Sequence, residues 1–215
     1  MSLSTRSKAA ALAALVLLGL SSCRYGPAAV QQPGIDASAA GSDAMELYDT
    51  NGDGKVAGDE LAKAPALKAA LARLDTNKDG SVDASEVTAR INVWQEMRTA
   101  RTSVRCHVKL DGQPLQNATV VFEPETFLGD EIKTATGVSN QFGDVYPSIA
   151  AEELSDPTLP GGVHFGLYKV RISKVSNGKE TIPSRYNTET ELGQEVSDDD
   201  PAMKNNNMAF ALKSK

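Results

Sequence analysis

The chain has 215 residues, with 22 Lys and Arg against 28 Asp and Glu, for a formal net charge of −6. An acidic balance of this kind argues against a nucleic-acid partner, and two cysteines are too few for a disulfide framework. The length suits two small domains.

Met1 to Cys23 opens with Arg6 and Lys8, continues through the apolar run Ala9 to Leu20, and ends in Leu20-Ser21-Ser22-Cys23. That order is a secretory signal, too short to span a bilayer. With a cysteine directly after the small residues, residues 1–22 resemble a bacterial lipoprotein signal with its lipobox. The resemblance implies a lipid on Cys23 and an exported protein anchored to a membrane of the bacterial cell envelope. Loss of Arg6 and Lys8 with the signal takes the net charge from −6 to −8. Acylation of Cys23 leaves Cys106 without an intrachain partner, so no internal disulfide is expected. Residues 23–41 are rich in Ala, Gly, Ser, Pro and Gln and have no hydrophobic period, which predicts a flexible tether with ordered structure from near Ser42.

Residues 42–101 contain a repeat: Asp49-Thr50-Asn51-Gly52-Asp53-Gly54 recurs as Asp75-Thr76-Asn77-Lys78-Asp79-Gly80. The flanks predict four short helices. Ala44, Leu47 and Tyr48 share a face before the first loop, and Pro65 starts a helix carrying Leu67, Leu71 and Leu74. Val87, Ile91, Trp94 and Met97 keep helical spacing to near Arg101. A calcium ion takes six to eight hard oxygen ligands, and a twelve-residue EF-hand loop supplies them from positions 1, 3, 5, 7, 9 and 12, with glycine at 6. Asp49, Asn51, Asp53, the carbonyl of Lys55 and bidentate Glu60 meet that pattern around Gly54, with a water at the Ala57 position. Asp75, Asn77, Asp79, the carbonyl of Ser81, Asp83 through a water, and Glu86 meet it around Gly80. Two Ca2+ ions are therefore expected, the second held more tightly because four carboxylates face it against three. Val56 and Val82, at position 8, are placed to pair the loops back to back.

From Thr102 the period changes to two. Val104, Cys106, Val108 and Leu110 alternate with polar residues as a half-buried strand, and Asp111-Gly112 makes a turn. Further strands are expected at 118–122, 133–138, 168–173 and 208–212. The stretches Leu110 to Leu115, Ala118 to Pro124, Gly166 to Ile172 and Ile182 to Asn187 resemble the carboxypeptidase regulatory-like, transthyretin-like β-sandwich of bacterial envelope lipoproteins. Departures from that pattern are Ser139-Asn140-Gln141-Phe142-Gly143 and the insert Pro147 to Gly162. The fold class expected is α+β and multidomain, a small all-α EF-hand pair over 42–101 followed by an all-β sandwich over 102–215. The resemblance implies a generally non-catalytic spacer or binding module.

No hydrolytic constellation is visible. His107 alternates outward on its strand, His164 sits in a glycine-rich loop, and Cys106 faces the core, so an enzyme is not expected. Asp198-Asp199-Asp200 reads as a solvated loop, and Trp94 and Tyr186 as packing residues. A second reading is an accessory subunit of a carbohydrate-acting or protein-assembly complex. The EF pair distantly resembles dockerins, which grip a partner through twin calcium loops; for this chain the resemblance implies an envelope protein or carbohydrate partner.

Overall fold

The computed structural model describes residues 33–97, 99–154 and 161–215. The signal segment, Cys23 and most of the tether lie outside them. Helix α1 spans Ala37–Tyr48 and begins five residues before the expected start at Ser42. Its cause is a cap: the Asp36 carboxylate accepts the amides of Ser38 and Ala39 at 3.1 and 3.0 Å, satisfying donors a helix start leaves free. The small residues that read as a tether also permit close packing, since a β-carbon on Gly41 would overlap the Ala84 carbonyl. On the expected apolar face, Ala44 and Tyr48 are buried while Leu47 is exposed.

Strand β1 (Lys55–Val56), helices α2 (Gly58–Lys63) and α3 (Pro65–Leu74), strand β2 (Val82–Asp83) and helix α4 (Ala84–Glu96) complete the helical module. Pro65 is the first residue of α3, where its missing N–H costs nothing. Helix α4 stops at Glu96, short of the expected end near Arg101, because Met97 turns extended. Arg101 instead opens strand β3 (Arg101–Thr102), so a boundary between 101 and 102 cuts through a strand.

The remainder is strand-rich: β4 (Cys106–Leu110), β5 (Gln113–Pro114), β6 (Thr119–Pro124), β7 (Ala135–Val138), β8 (Asp144–Val145), β9 (Ser148–Ile149), β10 (Val163–His164), β11 (Gly166–Ser173), β12 (Val175–Ser176), β13 (Lys179–Glu180), β14 (Gly193–Val196) and, after the short helix α5 (Pro201–Lys204), β15 (Ala209–Leu212). Strand β10 pairs with β3, which puts His164 in a strand and buries it rather than leaving it in a loop. One sheet runs β14-β11-β6-β7-β9, and another runs β15-β4-β5 with β8 also on β4. Strand β15 lies parallel to β4, Phe210 opposite Val108, while the five-stranded sheet is antiparallel throughout.

Period-two alternation points Val120, Phe122, Val170 and Ile172 inward from the first sheet and Val108, Phe210 and Leu212 from the second. Phe122 joins the layers, its ring edge-on to Phe210 at 6.3 Å and to Tyr168 at 5.9 Å between centroids. The helical and β halves share one continuous core: Leu67, Leu74, Ile91 and Trp94 belong to the same buried cluster as Leu167 and Val196. Edge strand β14 lies on α3, so close that a β-carbon on Gly193 would collide with the Pro65 carbonyl. Helix α1 packs on the 3-10 turn Thr126–Leu128.

Candidate metal centre

The two loops fold on the same plan, with most of their supporting bonds repeated. Asp49 accepts the amides of Gly52, Asp53 and Gly54 at 2.7, 3.2 and 2.8 Å; Asp75 accepts those of Asp79 and Gly80 at 3.0 and 2.9 Å. Asn51 and Asn77 each accept the amide two residues on, at 2.8 and 2.9 Å, as do Asp53 and Asp79 at 3.0 and 2.9 Å. These turns form because short Asp and Asn side chains reach their own backbone. Gly54 and Gly80 carry φ of +82° and +81°, a conformation glycine adopts without steric cost. Position 4 is left-handed as well, as Gly52 in the first loop and Lys78 in the second.

Each loop is closed by its position-12 glutamate. Glu60 accepts the Thr50 amide at 2.8 Å, and Glu86 the Thr76 amide at 2.9 Å; both residues are largely buried. Position 9 differs. Ala57 offers nothing, while the Asp83 carboxylate caps α4 by accepting the Glu86 amide at 3.0 Å. Val56 pairs with Val82 across β1 and β2, joining the loops back to back. Lys55 of the first loop reaches across to the Asp79 carboxylate at 2.5 Å, and that contact holds Asp79 well below the usual carboxylate range.

Among the described residues, no three His, Cys, Asp or Glu side chains gather as a ready cation cluster. The donor set still suits a hard cation. It combines carboxylates, Asn amide oxygens and backbone carbonyls, all oxygens, on loops whose turns are already formed. Asp49, Asn51, Asp53, Lys55 and Glu60 would hold one ion; Asp75, Asn77, Asp79, Ser81, Asp83 and Glu86 the other.

The helices flanking the second loop meet a charged group that pattern reading missed. Glu195 on β14 is fully buried, and its carboxylate accepts from Arg73 of α3, from Arg90 Nε of α4 at 2.6 Å and from Trp94 Nε1 at 2.9 Å. The acidic run after it is solvated only in part: Asp198 is exposed, while its two successors engage the arginines. Asp199 bonds Arg90 at 2.6 Å and Asp200, itself buried, bonds Arg73 at 3.1 Å. The Arg90 guanidinium pulls the Asp199 carboxyl far below its ordinary range. Asp200 is buried and Asp199 half-buried because two arginines on the docked helices neutralise them. A second bridge lies beside the first loop, where the Tyr48 hydroxyl donates to buried Glu125 at 2.7 Å. Burial pushes the Glu125 carboxyl up.

Of the remaining candidates, Cys106 is buried and desolvation raises its thiol to about 12, so it is no nucleophile at neutral pH. His107 bonds Asp144 at 3.3 Å on the half-exposed face. Tyr186 packs against the β half and accepts the Lys213 amide at 3.1 Å. His164 is pushed down to about 4 by burial, then by Arg101 and Lys133. An unfolded imidazole titrates near 6.5, so the fold favours the neutral ring. Its contribution to stability is complete above about pH 6.5 and is lost as pH falls toward 4. A proton NMR titration is expected to place the His164 midpoint near 4; a midpoint near the unfolded value refutes this.

No curated protein matches the chain in sequence. Residues 42–63 and 67–89 do match the family model of the EF hand, and with the geometry above residues 37–96 form an EF-hand pair followed by a β-sheet-rich region.

Proposed function

We propose that this is a calcium-binding, non-catalytic lipoprotein of the bacterial cell envelope, held to a membrane through a lipid on Cys23, in which two ions stabilise the helical module. The observation that carries the calcium reading is the duplicate loop, in which positions 1, 3, 5 and 12 carry the same ligand types and the glycine amide at position 6 is held by the position-1 aspartate in both copies. The export signal in the sequence places the pair where calcium modules bind at about 0.1 to 1 mM and the ion is not pulsed. A structural role fits the packing, because α3 and α4 already rest on the protein's own β half. The β region is read as a spacer or binding module of the transthyretin-like kind. Recruitment of an outside partner through the EF pair is the less favoured reading, since that face is occupied.

The test is isothermal titration of chelator-stripped protein with calcium, with circular dichroism recorded in parallel. Two sites are expected, and Asp75→Asn is expected to abolish the tighter one and Asp49→Asn the weaker. Absence of binding, or unchanged helicity on removing calcium, refutes the structural role. The reverse affinity order refutes the carboxylate count.

A further inference from the structure

We propose that Glu195 is a positioning residue for the second calcium loop, and that the β half is thereby energetically coupled to metal binding. This rests on the calcium reading above.

The geometry of the second loop is set by where its two ends are fixed. Position 1 of the second loop, Asp75, directly follows α3, and position 12, Glu86, lies in the first turn of α4. Ligands at both ends converge only if the two helices keep one separation and angle. Arg73 sits two residues before Asp75, and Arg90 one helical turn after Glu86. One carboxylate holds both: Glu195 Oε2 accepts from Arg73, and Oε1 from Arg90 Nε at 2.6 Å. Trp94, another turn along α4, donates to the same Oε1 at 2.9 Å. Glu195 thus bridges the entering and exiting helices, and its strand continues into the β half through eight-residue β11.

The bridge is built to resist rearrangement. Glu195 is completely buried and Arg90 and Trp94 nearly so, and a buried ion pair with both partners held is costly to break. Asp199 and Asp200 take the outer guanidinium nitrogens of Arg90 and Arg73, so each arginine is fixed at two points. Gly193, two residues before Glu195, lies directly on the first turn of α3. Swinging α3 away from α4 would separate Arg73 from Arg90 and leave charge unpaired inside the protein. The β half therefore holds the second loop in one geometry, and by reciprocity an ion in that loop tightens the docking of β14.

The experiment compares Glu195→Gln with the parent in an Asp49→Asn background, so that calcium titration reads the second loop alone. Gln keeps the shape and an acceptor for Trp94 but removes the charge. The expected result is about tenfold weaker binding, within the range usual for coupled sites, at a temperature where both proteins are fully folded. Glu123→Gln, which removes the ion pair with Arg171 elsewhere on the sheet, is expected to leave the affinity unchanged. Trp94 is the single tryptophan, and its emission is expected to respond to calcium in the parent and less in Glu195→Gln. An affinity within twofold of the parent, with the fold intact, overturns the coupling and leaves calcium binding standing. A parent that binds no calcium at this loop removes both. If Glu195→Gln does not fold, hydrogen exchange on the unmodified protein decides. Amides of β14 and β11 are expected to exchange more slowly with calcium present, and unchanged exchange overturns the coupling.

Discussion

Replacing Glu86 by Gln is expected to weaken calcium binding at the second loop about 100-fold, the equivalent of about 2.8 kcal/mol. Position 12 is the one place in the loop that supplies two oxygens, and the substitution removes a full charge from a site whose affinity follows ligand charge. The loop itself should survive. The oxygen of Gln can still accept the Thr76 amide that Glu86 accepts at 2.9 Å, and Asp83 continues to cap α4. The loss is therefore one of binding, not of folding, and titration of Glu86→Gln beside the equivalent Glu60→Gln separates the two. An unchanged tight site in Glu86→Gln refutes the assignment of that site to Asp75–Glu86.

Truncating Phe122 to Ala is expected to lower stability by about 4 kcal/mol in urea unfolding, the usual cost of emptying an aromatic position in a core. Phe122 is fully buried, bridges the two sheets through Phe210 and packs on Tyr168 of its own sheet. The informative part is where the loss appears. Because the helical module shares its core with Leu167 and Val196, helical ellipticity and Trp94 fluorescence should move to the same lower midpoint. Helices that melt at an unchanged midpoint would show that the halves unfold independently.

The loops were legible because calcium chemistry fixes residue type at each position, so Asp49 to Glu60 and Asp75 to Glu86 announce themselves without tertiary context. The long strands were legible for a similar reason, period-two burial at Cys106 to Leu110 and Thr119 to Pro124. What pattern reading could not see was the contact between the halves. Strand β14, with Gln194 and Glu195, was not among the expected strands, and the aspartates after it look like a solvated turn. The burial of Glu195 and Asp200 depends on Arg73 and Arg90, more than 100 residues away in sequence. The early start of α1 was hidden likewise, since Ala and Gly signal a loose tether unless Thr88 and Ala84 are known to lie against them. The one available signal was Trp94, a lone tryptophan on a helix face, which needs something to cover it.

Lys55 gives the carboxylate count a different weight. Its ammonium already occupies one oxygen of Asp79, so filling the second loop is an exchange of one cation for another. The first loop lends the second a tethered competitor that a free ion must displace, which narrows the margin between four carboxylates and three. The difference between the two sites is thus set partly by the side chain of Lys55, a residue that serves its own loop only through its carbonyl.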